Sequence, residues 1–310
     1  MQRITRKRLR TELRDLVELV LAPGLAAVLP WRWCFALFRR LATLPWLYRA
    51  GCAQALAQAQ ALGQVAPGQE TAWLATRRLV TLVDHADHWL ALTRSDAFMR
   101  RHLRLQGQWP APDEAAVCLT FHWGAGMWAL RHAGQAGLQA HALVAAMQGT
   151  PFAGRGVLRR YALARTASVG RALGHAPLVV SASLRPVVRA LRQRQQVFAA
   201  VDVPADQVDA SLIVTLCGRQ ARVPKGLLRL AVDMQVPVAV YLTGFDLATG
   251  RRELQIVRLG PHADVQSLAD AVFAHLQSAL ARNGAFWHFW AEAPRFFVPE
   301  LKRETHPPGG

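Results

Sequence analysis

The stretch AAVCLTFHWGAGMW, residues 115–128, decides how the fold of this chain is interpreted. Its apolar run, residues 117–121, ends abruptly at His122, and a turn of small residues from Gly124 to Gly126 separates it from a second apolar segment. This order predicts a buried strand, a tight turn and the start of a helix. A reactive side chain at the end of a strand, beside backbone that a ligand can approach closely, is a common active-site arrangement in α/β proteins. His122 is therefore the first candidate catalytic residue.

Strand-like and helix-like segments alternate on the C-terminal side of this stretch. Short apolar runs typical of strands occur at residues 117–121, 140–145, 177–181, 196–201, 236–242 and 252–260. Helical patterns occur between and after them, at residues 127–133, 156–173, 185–194, 226–233 and 265–282. This alternation predicts an α/β fold, with a layered and largely parallel sheet flanked by helices. We expect one such domain over residues 51–300, preceded by a separate segment of residues 1–50 and followed by a disordered tail of residues 301–310.

The composition indicates a globular protein with a pronounced apolar character. With 310 residues, of which 52% are hydrophobic, the chain is long enough to bury a sizeable core. Its mean hydropathy is +0.11, yet no apolar run reaches the roughly 18 to 20 residues of a membrane-spanning helix. We therefore expect a protein that rests on a membrane surface rather than one that crosses it.

Residues 1–50 have the composition of a segment that lies on a membrane. They hold ten basic and three acidic residues, and the part WRWCFALFRRLATLPWLYRA, residues 31–50, mixes aromatic residues with arginines. Indole rings and guanidinium groups both favour the head-group layer of a bilayer. The segment thus predicts an amphipathic, membrane-associated helix. The alternative is an ordinary N-terminal helix packed on the core.

Positive charge is concentrated around His122. The formal net charge is +17, and no acidic residue lies between Glu114 and Asp202, whereas that interval holds ten arginines. A positive region of this kind attracts anionic partners, namely phosphates, an acidic carrier protein or anionic lipid head groups. Nucleic acid is a competing partner for the same charge. It is the less favoured one, because the sequence contains no helix-turn-helix, zinc-finger or RNA-recognition signature.

Neither the cysteines nor the histidine pairs predict a metal centre. The four cysteines form no CxxC pair, which favours buried, reduced thiols. A predicted helix at residues 70–92 carries Asp84, His85, Asp87 and His88, which could ligate a metal. Two Asp–His pairs on one helix are more often a solvated polar face, so we expect no metal and no cofactor.

Four segments, taken in chain order, carry a family resemblance. They are HWGAGMW at residues 122–128, LRQRQQVFAAVDVPADQ at 191–207, CGRQARVPKGLLRLAVDMQVPVAVYL at 217–242 and FWHFWAEAPRFF at 286–297. Together with the Leu-Pro-Trp-Arg pattern at residues 29–32, they make the chain resemble the lipid A biosynthesis acyltransferase family, which contains the late acyltransferases of the lysophospholipid acyltransferase superfamily. The resemblance covers residues 25–297 and implies an acyltransferase-like α/β fold.

The activity that this resemblance implies is the transfer of an acyl chain from a thioester to a hydroxyl group. The donor would be an acyl carrier protein or acyl-coenzyme A, and the acceptor a lipid or another membrane-associated molecule. The protein would lie peripherally on the cytoplasmic face of a bacterial inner membrane, in contact with its anionic surface. His122 would act as the general base that deprotonates the hydroxyl.

The resemblance also implies an acid five positions after the histidine, where this chain has Met127. Another acid would then have to orient the imidazole. We prefer Asp202, because it follows a predicted strand and so lies at the same sheet edge as His122. The acids that could reach the ring through the fold are Asp202, Asp206, Asp209 and Glu292. Two alternatives remain open: a backbone carbonyl orients the ring, or the site has lost catalysis and kept binding.

Substrate-binding groups are expected at three places. Backbone N–H groups of the turn from Gly124 to Gly126, or an arginine, would stabilise the oxyanion that forms on the thioester carbonyl. Arg222 and Lys225, near the start of a predicted helix, would form an anion site with its N-terminus. A downstream group of arginines, which would otherwise form a solvated face, would grip a phosphopantetheine phosphate, the carrier protein or a phosphorylated acceptor: Arg155, Arg159 and Arg165.

Overall fold

Strands that are buried on both faces form the centre of the protein. In Ala116–Thr120 and in Gln196–Ala200 the first four residues are all buried, which is the pattern of a sheet covered by helices on both sides. A computed structural model describes residues 6–145, 152–180, 183–204, 206 and 210–298. Over this part the chain is a mixed α/β protein whose mostly parallel central sheet is flanked by helices, as the alternating sequence pattern predicts.

Seven of the nine strands in the described residues form the central sheet. The strands are β1 (Leu103–Gln106), β2 (Ala116–Thr120), β3 (Ala140–Ala145), β4 (Leu178–Val180), β5 (Gln196–Ala200), β6 (Ser211–Leu216), β7 (Arg219–Pro224), β8 (Val238–Phe245) and β9 (Arg252–Leu259). Their order in the central sheet is β1-β9-β8-β2-β5-β3-β4. Only the β8–β9 pair of this sheet is antiparallel. The other two strands, β6 and β7, pair as an antiparallel hairpin.

Eleven α-helices in the described residues surround the sheet. They are α1 (Arg6–Leu16), α2 (Ala22–Val28), α3 (Trp31–Leu41), α4 (Arg49–Ala61), α5 (Glu70–Thr93), α6 (Asp96–Arg101), α7 (Gly126–Gln135), α8 (Gly156–Leu173), α9 (Arg185–Arg192), α10 (Gly226–Asp233) and α11 (Val265–Asn283). One π-helical turn, Val17–Leu21, joins α1 to α2, and two 3₁₀ segments, Gly284–Phe286 and His288–Arg295, follow α11.

The sequence pattern predicted neither the edge strand β1 nor the hairpin of β6 and β7. Its two strands are joined by Cys217 and Gly218, both at positive φ, the backbone of a tight two-residue hairpin turn. Cys-Gly is not one of the usual dipeptides of such turns, and the apolar run of β6 is only three residues long, at 212–214, while β7 has none. One consequence is that Arg222 lies in β7 and does not open the following helix, in contrast to the prediction.

The N-terminal helices contribute to the same core as the sheet. Helix α3 buries Trp31, Cys34, Phe35 and Phe38, which belong to one hydrophobic cluster with the strands and α11. The opposite side of this region leaves Trp33 exposed. In the described residues, no helix combines the length and the apolar character that crossing a bilayer requires. The predicted tail, residues 301–310, lies outside the described residues.

Candidate active site

The register of two neighbouring parallel strands brings His122 and Asp202 together. Thr120 at the end of β2 lies opposite Ala200 at the end of β5. His122 and Asp202 each follow two residues later, so they leave the sheet side by side at its carboxyl edge. Asp202, the acid preferred from the sequence, therefore reaches the histidine through the fold.

The Asp202 carboxylate is fully buried and accepts three different N–H groups. The Nδ1 of His122 lies 2.8 Å from Oδ1 of Asp202, and the backbone N–H of His122 donates to both carboxylate oxygens, at 2.8 and 3.0 Å. The indole N–H of Trp287, which is itself fully buried, donates to Oδ2 at 2.8 Å. With an ionised carboxylate as its partner, Nδ1 carries the proton, and Nε2 is left with a free lone pair.

The imidazole ring of His122 is held in place and is still accessible. It stacks on Phe289, with ring centroids 3.7 Å apart and planes 9° apart. Its side chain is 38% exposed, and it lines a cavity of about 380 Å³ that we call the His122 cavity. A basic nitrogen with a fixed orientation at the wall of a cavity is the geometry of a general base.

The His122 cavity has a mostly apolar lining with a few polar groups. Besides His122, its acidic and basic side chains are Asp84, Arg165 and His288, and Thr120 and Tyr241 add hydroxyl groups. The apolar lining comes mainly from β3, β5, α7 and α8 and includes Met127, Leu130, Leu143, Val169 and Phe198. Such a cavity suits a ligand that combines an apolar chain with a polar reacting group.

The turn after His122 is fixed by its backbone and leaves two N–H groups free. Gly124 has a φ of +57°, and a Cβ there would lie 2.2 Å from the carbonyl oxygen of Thr243. Its N–H donates to Phe286 O, and the N–H of Ala125 donates to Thr243 O. The N–H groups of Gly126 and Met127, in the first turn of α7, have no hydrogen-bond partner in the described residues. These two, rather than the N–H of Gly124, are available for an oxyanion.

A second histidine, His288, braces the same turn from the other side. Its backbone N–H donates to His122 O at 2.7 Å, and its Nε2 lies 2.9 Å from Gly124 O. Its Nδ1 accepts an N–H of Arg77 at 3.1 Å. Because both ring nitrogens are engaged, and because burial and the Arg77 charge lower its pKa to about 3, this ring is neutral.

The acidic and histidine side chains of α5 form a buried polar network and not a solvated face. The carboxylate of Asp84 lies 2.7 Å from the Arg165 guanidinium, and Tyr161 OH lies 2.8 Å from Nδ1 of His85. Burial alone would raise the pKa of Asp84, but the Arg165 charge holds it below its usual range. Burial lowers the pKa of His85 to about 4. The described residues contain no group of three or more side chains arranged to hold a metal ion.

The predicted arginine group on α8 does not converge on one face. Arg155 lies just before the helix and pairs with Asp15 of α1 at 2.6 Å. Arg165 is bound to Asp84 at the wall of the His122 cavity. Arg159 is exposed and has no side-chain partner in the described residues. The expectation of a shared grip by the three is wrong, because their side chains go to α1, to α5 and to solvent.

The other predicted residues lie away from the His122 ring. Asp206 and Glu292 both pair with Arg295, at 2.8 and 2.7 Å, and Asp209 lies outside the described residues. Lys225 is the residue just before α10, but Arg222 is an exposed residue of β7. All four cysteines are free thiols, three of them buried.

Sequence reasoning missed the residues that hold the histidine and its turn. Trp287, His288 and Phe289 all belong to the aromatic block at residues 286–297, which was used only for the family resemblance. Arg77 lies in a helix without a motif. The one available signal was the histidine inside that aromatic block, since a lone polar residue among large apolar ones is a candidate for a specific contact.

Neither models of known protein families nor curated proteins give a match to this chain. Its fold and its His122–Asp202 pair therefore carry the functional argument.

Proposed function

We propose that the protein is an O-acyltransferase that moves an acyl chain from a thioester to a hydroxyl group. The observation that carries this proposal is the His122–Asp202 pair, in which Nδ1 is bound to the carboxylate and the ring lines a mostly apolar cavity. The pair supplies the acid–histidine arrangement that the family resemblance requires, although the acid comes from the end of β5. The resemblance implies an acid at the position of Met127, and Asp202 takes the place of that acid beside His122.

The reaction begins at the acceptor hydroxyl. Nε2 of His122 takes the hydroxyl proton while the oxygen attacks the thioester carbonyl, and the Asp202 carboxylate stabilises the imidazolium that forms. The tetrahedral intermediate collapses as the carbon–sulfur bond breaks. The leaving thiolate receives the proton from Nε2, so that the ester and the free thiol are the products and His122 returns to its neutral form.

The negative charge of the intermediate falls near the start of α7. The free N–H groups of Gly126 and Met127 lie at this helix N-terminus and line the same cavity as the base. Two aligned backbone donors and the positive end of the helix dipole stabilise an oxyanion. Gly126 thus keeps its expected role, whereas Gly124 serves by making the turn.

The apolar lining of the His122 cavity fits the acyl chain of the donor. We propose an acyl carrier protein or acyl-coenzyme A as the donor and a lipid or membrane-associated hydroxyl as the acceptor. Cations near α8 and α10, namely the exposed Arg159 and Arg222 and the half-buried Lys225, would attract the acidic donor by long-range electrostatics, rather than as a built anion site.

We propose a peripheral position on the cytoplasmic face of a bacterial inner membrane, and the N-terminal region supports the contact with an anionic lipid surface that this position requires. Trp33 is 63% exposed and Trp46 51% exposed, and the exposed arginines around them include Arg32 and Arg49. Exposed indoles next to cations favour an anionic lipid surface. Sedimentation with anionic vesicles tests this. The wild type should sediment, a Trp33→Ser/Trp46→Ser variant should stay in solution, and equal sedimentation of both would contradict the proposal.

The experiment that tests the transferase is a mass-spectrometric assay with membranes, acyl carrier protein thioesters and acyl-coenzyme A. Wild type should form a new acylated product, and His122→Ala should fold normally and form none. His175→Ala is the matched control and should leave the product unchanged. His175 lies just before β4, at the amino ends of the parallel strands, whereas His122 lies at their carboxyl ends. Free fatty acid in the absence of any acceptor would instead indicate a thioesterase, and identical products from wild type and His122→Ala would contradict the proposal.

A further inference from the structure

A second cavity, of about 320 Å³, adjoins the His122 cavity. We call it the Arg77 cavity. His288 lines both cavities, so they meet at this ring. Residues of α1, α4 and α5 form most of its wall, and its basic side chains are Arg14, Arg49, Arg77 and Arg155.

Arg77 is a buried cation without an acidic partner. Its side chain belongs to a residue that is only 7% exposed, and its guanidinium donates to two neutral groups, Ala285 O and Nδ1 of His288, both at 3.1 Å. It forms no ion pair with a carboxylate in the part of the chain that the structure describes. A buried charge of this kind is costly unless an opposite charge lies against it.

Two other arginines inside the protein have such a partner. Arg252 is fully buried and bound to Asp87, and Arg165 is bound to Asp84. Asp84, the carboxylate whose charge raises the pKa of Arg77, is thus already engaged. Arg78, which is 8% exposed, also lacks a carboxylate partner in the described residues, but it lines neither cavity, whereas Arg77 lies at the wall of one.

The cavity as a whole has an excess of positive charge. Its lining holds four arginines and one carboxylate, Glu18, while Asp15 and Glu12 act on Arg155 from outside the lining, so the arginines still outnumber the carboxylates. Arg49 is exposed at the cavity and has no side-chain partner in the described residues. Arg14 is 51% exposed and lies only within 4.0 Å of Glu18. Both can therefore turn their free N–H groups toward an anion.

We propose that the Arg77 cavity binds a phosphate group of one of the two substrates of the acyl transfer. The excess positive charge suits a phosphate group, because guanidinium groups bind phosphate oxygens in pairs. The shared ring of His288 places the phosphate beside the cavity in which the proposed reaction occurs. The phosphate has two sources, the phosphopantetheine arm of the donor or a phosphorylated acceptor lipid, and this assignment to a substrate rests on the proposed function.

Direct binding of inorganic phosphate, measured by calorimetry, tests the site without turnover. Arg77→Gln and Arg49→Gln should each raise the Kd for phosphate at least about tenfold, which is the loss of one charge-assisted contact. The control is Arg192→Gln, because Arg192 is exposed on α9 and outside both cavities, and its Kd should be unchanged. If Arg77→Gln does not fold, Arg49→Gln decides. Equal Kd values for wild type and Arg49→Gln would overturn the proposal.

Two matched pairs of competitors identify the source of the phosphate. If the donor supplies it, 4′-phosphopantetheine displaces phosphate and pantetheine does not. If the acceptor supplies it, lysophosphatidate in detergent displaces phosphate and monoacylglycerol does not. Displacement by neither phosphorylated probe would overturn the link to a substrate. Because these measurements need no catalysis, phosphate binding that persists while the transfer assay fails would reject the acyltransferase alone.

Discussion

His122 and His288 lie at the same edge of the sheet, and the backbone N–H of the second donates to the carbonyl of the first. Their rings nevertheless have opposite kinds of partner. The Nδ1 of His122 lies against the carboxylate of Asp202, whereas the Nδ1 of His288 accepts a hydrogen bond from a guanidinium N–H of Arg77. A carboxylate stabilises the charged imidazolium, and a guanidinium destabilises it.

This comparison separates the proposed base, His122, from a residue that supports the turn, His288. His122 has a free Nε2 at a cavity wall and a partner that stabilises the ring after it takes a proton. His288 has no free nitrogen, and both of its ring contacts hold other groups in place, namely Arg77 and the carbonyl of Gly124. Residue type alone does not distinguish the two roles, because the partner of Nδ1 decides the chemistry.

The largest expected effect follows from removing the charge beside His122. In Asp202→Asn, the amide no longer stabilises the imidazolium and favours the wrong tautomer, so the initial rate of acyl transfer should fall about 10³-fold. Initial rates on the donor identified in the product assay measure this. Asp206→Asn is the control, since Asp206 pairs with Arg295, and a rate for Asp202→Asn within a few-fold of this control would contradict the role of Asp202.

The next effect comes from the turn between the two histidines. Gly124→Ala places a Cβ against the carbonyl of Thr243 and strains a left-handed backbone, so we expect a loss of about 3 kcal/mol in the free energy of unfolding. Urea titration measures it. Gly63→Ala is the matched control: its φ is +67° but nothing lies within 4 Å of the new Cβ, and it should cost about 1 kcal/mol. Equal losses for both would show that the close approach at Gly124 is not a constraint.

A smaller effect on rate is expected at His288. His288→Leu removes the donor to the Gly124 carbonyl and one of the two acceptors of Arg77, which should cost about 3 kcal/mol of stability and about tenfold in rate through a looser turn. The pH dependence of the rate should keep its midpoint, because this ring is neutral throughout the working range. His288→Gln, which can restore a donor to Gly124 O, should recover part of the loss. A displaced midpoint would make His288 a second base.

The smallest effect per residue appears in the dependence of stability on pH. Burial lowers the pKa of His85 and of His88 to about 4 and that of His288 to about 3, so the unfolded chain takes up protons at a higher pH than the folded one. Their contribution is complete above pH 6.5 and is lost as the pH falls toward 4. Burial raises the pKa of Asp87 to about 6, despite the Arg252 charge. Below that pH the folded chain binds a proton at Asp87, and this offsets the uptake of one histidine proton by the unfolded chain.

The free energy of unfolding should therefore fall from pH 6 to pH 4, by about 1.4 kcal/mol per pH unit for each net proton. Urea titrations at pH 7, 6, 5 and 4 provide the measurement. A free energy of unfolding that stays level or rises over this range would contradict the buried, neutral state of the three histidines.

Much of the fold could be predicted from the sequence because periodicity reports burial. Strand β3 and helices α8 and α10 have the predicted bounds, and the parallel sheet follows from the alternation of strands and helices. The β6–β7 hairpin could not be predicted in this way, because its strands are only partly buried and Cys217-Gly218 is an unusual turn. Spatial partners are equally inaccessible: the sequence pattern of α5 predicts a solvated face, although its acids pair with arginines that come from distant segments.

The candidate site was predictable where it depends on strand ends. Asp202 was identified because residues that follow neighbouring parallel strands meet at one edge. Arg77, Trp287 and His288 could not be assigned, since they reach the site from a helix and a 3₁₀ segment whose positions no local pattern encodes. The prediction that the three arginines of the α8 region share one binding site was wrong. Spacing along a helix shows which residues are near each other, but it does not reveal that separate acids bind two of these arginines.

The measurement that tests the central claim most directly compares acyl-transfer rates of wild type, His122→Ala, Asp202→Asn and the double variant. If Asp202 acts only through His122, the double variant should be as slow as His122→Ala within about twofold, because groups that act as a unit are not additive. Losses that multiply in the double variant, or a His122→Ala rate close to that of wild type, would contradict the account of His122 as the general base oriented by Asp202.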